Sequence, residues 1–231
     1  MDVKGLGPAR LCAAVLMALA IAMPARAQQA AAERWEKEIA AFEAGDKASP
    51  PPKGEIVFVG SSTIRLWDLA AAFPDLKTIN RGIIGSEMHD ALRAVDRLVL
   101  PYAPRTVVVY AGDNDIMGTP SEEIAIAFER FVRAVHAKLP QTRIVYIGIK
   151  PSILRWAQVD RMRQANAMIR AFCGRDDRVA FVDVDNAMLG WDEKPRPELY
   201  VQDGLHLTPA GYQILTALVR PLLGPAPAST R

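Results

Sequence analysis

Short apolar runs and longer stretches of helical periodicity take turns along this chain. Glu55–Val59 (EIVFV), Thr106–Tyr110 (TVVVY), Arg143–Ile149 (RIVYIGI) and Val179–Val182 (VAFV) are rich in β-branched residues and read as strands. Lys77–Asn80 is a weaker run that comes second in order. Thr106–Tyr110 is large on both faces, as suits a central strand covered on both sides. Between the strands lie helical segments. Ile64–Phe73 is closed by Pro74, and Asp90–Leu100, with Leu92, Val95, Leu98 and Val99 apolar, is ended by Pro101 and Pro104. Thr119 reads as the N-cap of a third helix, with Pro120 at its first position and Glu122 completing a capping box. Its apolar stripe is Ile124, Phe128, Phe131, Val132, Val135 and Leu139. Gln158–Phe172 follows, then a Pro-rich, charged loop to about Val201. Thr208-Pro209 opens a last helix with Tyr212, Leu215, Leu218 and Val219 on one face. Five strands separated by helices imply α/β class: a parallel sheet with helices on both faces, a three-layer α/β/α sandwich. The flavodoxin-like strand order is one of two common choices, and the pattern alone does not select it.

The ends of the chain break this rhythm. Lys4 and Arg10 flank the start of an uncharged apolar run, Leu11–Met23, and Ala25-Arg26-Ala27 is a small-x-small sequence. These are the three parts of a secretory signal peptide over residues 1–27. The run is too short for a permanent membrane span, which needs about 20 residues. Residues 28–52 hold an Ala- and Glu-rich segment, 29–47, that reads as a helix, then the stiff link Ser49-Pro50-Pro51-Pro52. Residues 53–223 form the βα domain, and residues 224–231, rich in Pro and Ala, read as a disordered tail. The leader carries Lys4, Arg10 and Arg26 against Asp2, so its loss takes the formal net charge from +2 to zero. A neutral chain has no electrostatic basis for binding nucleic acid. Cys173 is the one cysteine beyond the leader, which excludes an internal disulfide and a cysteine zinc site; it reads as a small core filler. An exported chain that needs no disulfide suits a bacterial periplasm, with full secretion the alternative. Oligomeric state leaves no trace in the sequence.

In open parallel sheets, sites form at the carboxyl ends of strands. Strand one ends in Gly60-Ser61-Ser62-Thr63, strand two in Arg81-Gly82-Ile83-Ile84-Gly85-Ser86, and strand three in Ala111-Gly112-Asp113-Asn114-Asp115; Asp203-Gly204-Leu205-His206 follows strand five. Each is weak alone, since a Gly-Ser turn or an Asn in a turn is ordinary. Together they hold a nucleophile, a base, a group to orient the base and oxyanion donors, the parts that acyl transfer needs. The base must come from His89, His136 or His206. His136 reads as a surface histidine near a helix end, and His89 as a solvated loop residue. His206 lies three residues after Asp203, a spacing that lets the carboxylate reach its imidazole in a tight turn. Asp113 and Asp115 read as turn carboxylates rather than metal ligands. Trp67, Lys150, Arg155 and Trp156 fall near strand ends and are candidates for the pocket wall, with surface packing the alternative reading.

At these blocks the sequence resembles the SGNH, or GDSL-type, hydrolase family. The match runs over Val59-Gly60-Ser61-Ser62, Gly82-Ile83-Ile84-Gly85, Gly112-Asp113-Asn114-Asp115 and Asp203-Gly204-Leu205-His206, in the family's order and over roughly residues 55 to 222. The resemblance implies a flavodoxin-like fold and a serine esterase. It makes Ser62 the nucleophile, Asp203 and His206 the rest of the triad, and Ser62, Gly85 and Asn114 the oxyanion hole. No cofactor and no metal are expected. The family's Gly-Asp-Ser is Gly-Ser-Ser here, which leaves Ser61 as a rival nucleophile. The implied substrates are small-molecule or glycan esters, short-chain or O-acetyl in particular. An acyltransferase using the same acyl-enzyme, or a silent carbohydrate- or ester-binding module, would share these residues.

Overall fold

The computed structural model describes residues 35–224. The signal peptide read in residues 1–27 and the tail beyond Gly224 lie outside the described residues. The chain divides into two compact units, Met1–Lys47 and Ala48–Arg231. The described part of the first, residues 35–47, is helical, and this helix, α1, ends at residue 48.

The second unit is built on five parallel strands: β1 Ile56–Gly60, β2 Thr78–Gly82, β3 Thr106–Tyr110, β4 Arg143–Ile147 and β5 Val179–Val182. Their order is β2-β1-β3-β4-β5, the flavodoxin-like order. Gly60 is level with Gly82 on one side and with Tyr110 on the other, so the ends of β1, β2 and β3 are flush. Because the chain steps from β1 outward to β2 and then back past β1 to β3, a crevice opens there.

Every residue of β1 and β3 is buried, as their unbroken apolar runs require. On one face Phe58 packs with Trp67 and Phe73, and Trp67 with Tyr212 of α8 (Pro209–Val219). On the other, Phe128 of α6 (Ser121–Lys138) lies 4.6 Å, centroid to centroid, from Tyr146, and Phe172 of α7 (Val159–Cys173) closes against Phe128. Cys173 is buried at the end of α7, and burial pushes its thiol up to about 12, so it fills space and is inert.

Several boundaries differ from the sequence pattern, each for a local reason. The segment Ile64–Phe73 is two short helices, α2 Ser62–Arg65 and α3 Leu69–Ala72. Asn80 donates to the Ile64 carbonyl at 2.7 Å, taking an acceptor that a continuous helix would use, and Asp68 caps α3 through the Ala71 N–H. The segment Asp90–Leu100 starts earlier, as α4 Met88–Arg93, because the Glu87 N–H donates to Asp90 at 2.8 Å. It breaks at Ala94 before α5 (Val95–Leu98), and His89 therefore sits in a helix rather than a loop. β4 stops at Ile147 because Asn166 takes both backbone groups of Ile149. Thr119 is not the cap of α6: Pro120, at φ −55° and ψ 145°, holds that position, and no side chain caps the helix. At α8 the same Thr-Pro pair behaves as expected, Thr208 accepting the Gly211 N–H.

At Gly60 the backbone of β3 runs close against β1. This glycine's φ is +136°, and a Cβ there would lie 1.9 Å from the Tyr110 carbonyl oxygen. Its own carbonyl accepts the Ile83 N–H at 2.8 Å and the Ser86 hydroxyl at 3.0 Å. A Gly60→Ala variant is expected to lose about 3 kcal/mol of stability from strain and displaced backbone, read as a fall in Tm of roughly 6–12 °C. A Tm within a degree of wild type would show that the approach of β1 to β3 is not fixed at this residue.

Candidate active site

Ser62 opens α2 two residues beyond the end of β1, so its backbone N–H has no intrahelical acceptor. Its side chain points out of the sheet end, and its Oγ lies 3.0 Å from His206 Nε2. Asp203 Oδ2 is 2.5 Å from His206 Nδ1, while Asp203 Oδ1 accepts the backbone N–H groups of Leu205 and His206. This turn is tied down at both flanks: Leu154 N–H donates to the Gly204 carbonyl and Val201 N–H to the His206 carbonyl. The imidazole hydrogen bond, ahead of the backbone N–H bonds, holds the Asp203 carboxyl down at about 2. The structure thus joins Ser62, His206 and Asp203 in one hydrogen-bonded line. Ser61 is fully buried and its hydroxyl donates to Asp113 at 3.4 Å, facing away from solvent.

Beside this line, Ser86 links the two oxyanion candidates. Gly85, at φ +77°, lies in the turn that Ser86 closes onto Ile83. Asn114 donates from Nδ2 to the Ser86 carbonyl at 2.9 Å and accepts on Oδ1 from Arg155 Nη2 at 3.0 Å.

Under Asn114 lies a polar network with no counterpart in the sequence reading. Asp113 is buried with Lys150 Nζ at 3.2 Å and the Tyr110 hydroxyl at 3.3 Å, and Arg155 approaches its carboxylate to 3.6 Å. Arg155 also donates to the Asp113 backbone carbonyl. Burial alone would raise the Asp113 carboxyl, but Lys150 and Arg155 together hold it below its ordinary value. Lys150 is lowered, burial outweighing the attraction of Asp113. Asp115 is fully buried; Oδ1 accepts the Met88 N–H at 2.9 Å and Oδ2 has no hydrogen-bond partner. Neither aspartate is a plain turn carboxylate. Among the described residues no group of three or more His, Cys, Asp or Glu could hold a metal ion.

The other expectations need correction. Trp67 is buried in the core against Phe58, Phe73 and Tyr212 rather than on an open wall. Lys150 lies inside the domain rather than on a wall. Trp156 is half-buried under Lys194 and Arg163. His136 is largely buried, with Nε2 at 2.9 Å from the Thr142 carbonyl. The signal for the missed network was a lysine directly after a buried strand, where only an internal carboxylate could meet it.

Comparison with known proteins follows the same lines. Residues 60–214 match the GDSL-like Lipase/Acylhydrolase family. The human protein named platelet-activating factor acetylhydrolase IB subunit alpha1 is 28% identical over 201 residues, 82% of this chain and 83% of that protein. Among solved structures, a Streptococcus pneumonia chain named for platelet activating factor superposes with a TM-score of 0.76 at 23% identity, over 89% of this chain and 99% of that one. A catalytic mutant of an acetylxylan esterase from Geobacillus stearothermophilus gives 0.61 at 17% identity, over 78% and 99%. At these identities the two structures speak for the fold.

Burial, well ahead of any neighbouring charge, raises Asp115 to about 7. Its unfolded value is that of an ordinary aspartate, about 3.9. The folded chain therefore holds the proton more tightly, and the stability this group confers is complete below about pH 4 and withdrawn as pH rises through about 7. Asp115→Asn removes the titration. The Tm of wild type minus that of D115N is expected to fall between pH 5 and pH 8; a difference that stays constant would overturn this account.

Proposed function

Because the chain belongs to the GDSL-like lipase/acylhydrolase family and is a carboxylic ester hydrolase, we propose that it cleaves acetyl and other short-chain esters through an acyl-enzyme on Ser62. The observation that carries this reading is the line from Asp203 through His206 to the Ser62 hydroxyl. His206 Nε2 takes the hydroxyl proton as Ser62 Oγ bonds to the ester carbonyl carbon. Asp203 fixes the tautomer that leaves Nε2 unprotonated and then faces the imidazolium. The carbonyl oxygen becomes an oxyanion, met by the N–H of Ser62, the N–H of Gly85 and the side-chain amide of Asn114. Collapse expels the alcohol, which takes its proton from His206. Water, deprotonated by the same imidazole, then releases the acid and restores Ser62.

Three supports bear on the substrate. The human relative is named an acetylhydrolase and the Geobacillus neighbour an acetylxylan esterase, so both names specify acetyl esters. The leader read in residues 1–27 favours export, which brings O-acetylated glycans within reach. No helix among the described residues is long and apolar enough to cross a membrane, which fits action on dissolved esters. A second reading rests on Ile84, Met117, Ile153, Leu154 and Val201. These exposed apolar side chains each lie on a loop that also carries or anchors a site residue. They would suit an ester with a longer chain or an apolar alcohol.

Incubation with a fluorophosphonate probe and mass mapping tests the nucleophile. Label is expected on Ser62, and Ser62→Ala is expected to remain folded and to lose both label and turnover; label on Ser61 or on no serine overturns the assignment. In Asp203→Asn the amide can keep the backbone bonds through Oδ1 while its NH2 donates to Nδ1. That imposes the wrong tautomer, with an expected loss in kcat of about 10³–10⁴. A series of p-nitrophenyl esters from acetate to decanoate, run beside acetylated xylo-oligosaccharides, tests the substrate class. Rates highest at acetate or butyrate support the short-acyl reading, and rates that climb steadily with length support the second. Added acceptor alcohols separate hydrolysis from acyl transfer by the products formed.

A further inference from the structure

An amide that must stabilise an oxyanion has a problem of orientation. Its NH2 and its oxygen are similar in size, and a half-turn about the last side-chain bond would present a repelling oxygen to the developing charge. In this chain two contacts decide the matter. The Ser86 carbonyl can only accept, and it lies 2.9 Å from Asn114 Nδ2; the Arg155 guanidinium can only donate, and its Nη2 lies 3.0 Å from Asn114 Oδ1. The chemistry of the two partners permits one orientation. Nδ2 then keeps a second proton for the site.

Arg155 is itself held at three points. It donates to the Asp113 backbone carbonyl, sits 3.6 Å from the Asp113 carboxylate and reaches Asn114, all from a side chain only 13% exposed. One carboxylate here meets two cations, Lys150 and Arg155, and Arg155 turns its Nη2 to the amide oxygen. A cation on Oδ1 draws electron density from the amide and strengthens its N–H as a donor.

We infer that Arg155 is a positioning residue of this site: it sets the orientation of the Asn114 amide and polarises it toward the oxyanion, without touching substrate. The inference rests on the reading of Asn114 as an oxyanion donor. It differs from a role for Arg155 in the pocket wall, which would show in KM. It also differs from a purely structural role, which would show in stability alone.

A double-mutant cycle with Asn114→Ala separates these, with p-nitrophenyl acetate as substrate and each variant measured well below its own Tm. Arg155→Met is expected to lower kcat by about 10- to 100-fold, with KM little changed, less than the 10²- to 10³-fold expected for N114A. In the N114A background the same R155M change is expected to cost less than about 3-fold, because the group it serves is gone. Arg155→Lys keeps the charge but not the fork, so it should lose less than R155M and show the same dependence on Asn114; it carries the cycle if R155M does not fold. Losses that multiply independently in the N114A background, or a change confined to KM, overturn the inference. If N114A alone leaves kcat unchanged while Ser62 still labels, the oxyanion role of Asn114 fails and the Arg155 inference falls with it, while Ser62 catalysis stands.

Discussion

A carboxylate enclosed with two cations beneath the ends of three strands holds this site together. Asp113 follows β3, Ser61 follows β1, and Lys150 and Arg155 follow β4; all meet within hydrogen-bond or ion-pair distance. Taking such charges out of water is costly, and the cost is offset only while the pairing is complete; removing one partner of a buried pair typically costs about 3–5 kcal/mol. The loops that carry Ser62 and Asn114 are therefore not free to drift apart. The arrangement also gives a physical meaning to the departure from Gly-Asp-Ser. The turn after β1 has lost a carboxylate, but the Ser61 hydroxyl that replaces it points to a carboxylate supplied from the turn after β3. Negative charge is present beneath the nucleophile turn without being part of it.

What the sequence disclosed follows from which forces are local. The strands were legible because burial on both faces demands unbroken apolar runs, and β1, β3 and β5 fall within one residue of where those runs lie. Strand order was not legible from the pattern, since order depends on where each crossover lands. Helix ends were legible only where the cap is made by the chain next to it. Thr208 caps α8 through the Gly211 N–H three residues on. Thr119 does not cap α6, because its segment is bound elsewhere: its N–H goes to the Asp115 carbonyl and its carbonyl accepts from Arg161. The break between α2 and α3 is likewise imposed by Asn80, a side chain from another strand.

The same distinction separates the parts of the site. The blocks that hold Ser62, Gly85 and Asn114 stood out because they are short and polar and follow strands, and Asp203 and His206 because of their spacing; the roles expected of them came from the resemblance to the SGNH family. The support beneath them could not be read. Lys150 and Asp113 are separated by 37 positions and Arg155 and Asn114 by 41; the lysine after β4 signals an internal partner, but nothing near it says which residue that is. Trp67 shows the opposite error: a large aromatic beside the nucleophile suggests a pocket wall, yet the apolar demand of the core claims it.

The two halves of the site are built to different standards of rigidity, and the chemistry requires both. The side proposed to hold the oxyanion rests on buried pairs and on the tight approach at Gly60, where small displacements are resisted by close-packed neighbours. Stabilising a charge that exists only in the transition state depends on donors that need not reorganise when it appears. The base side is a surface turn. Asp203 and His206 are 45% and 30% exposed, and their turn is held from outside chiefly by backbone bonds from Leu154 and Val201. Exposure has a use in the proposed mechanism, because its second half needs a water molecule at the imidazole after the alcohol has left. A histidine enclosed as tightly as Asp113 would orient well but would admit that water slowly. On the proposed mechanism, seating the donors on the buried network and the base on the surface turn would let one site hold an oxyanion still while its solvent partner exchanges.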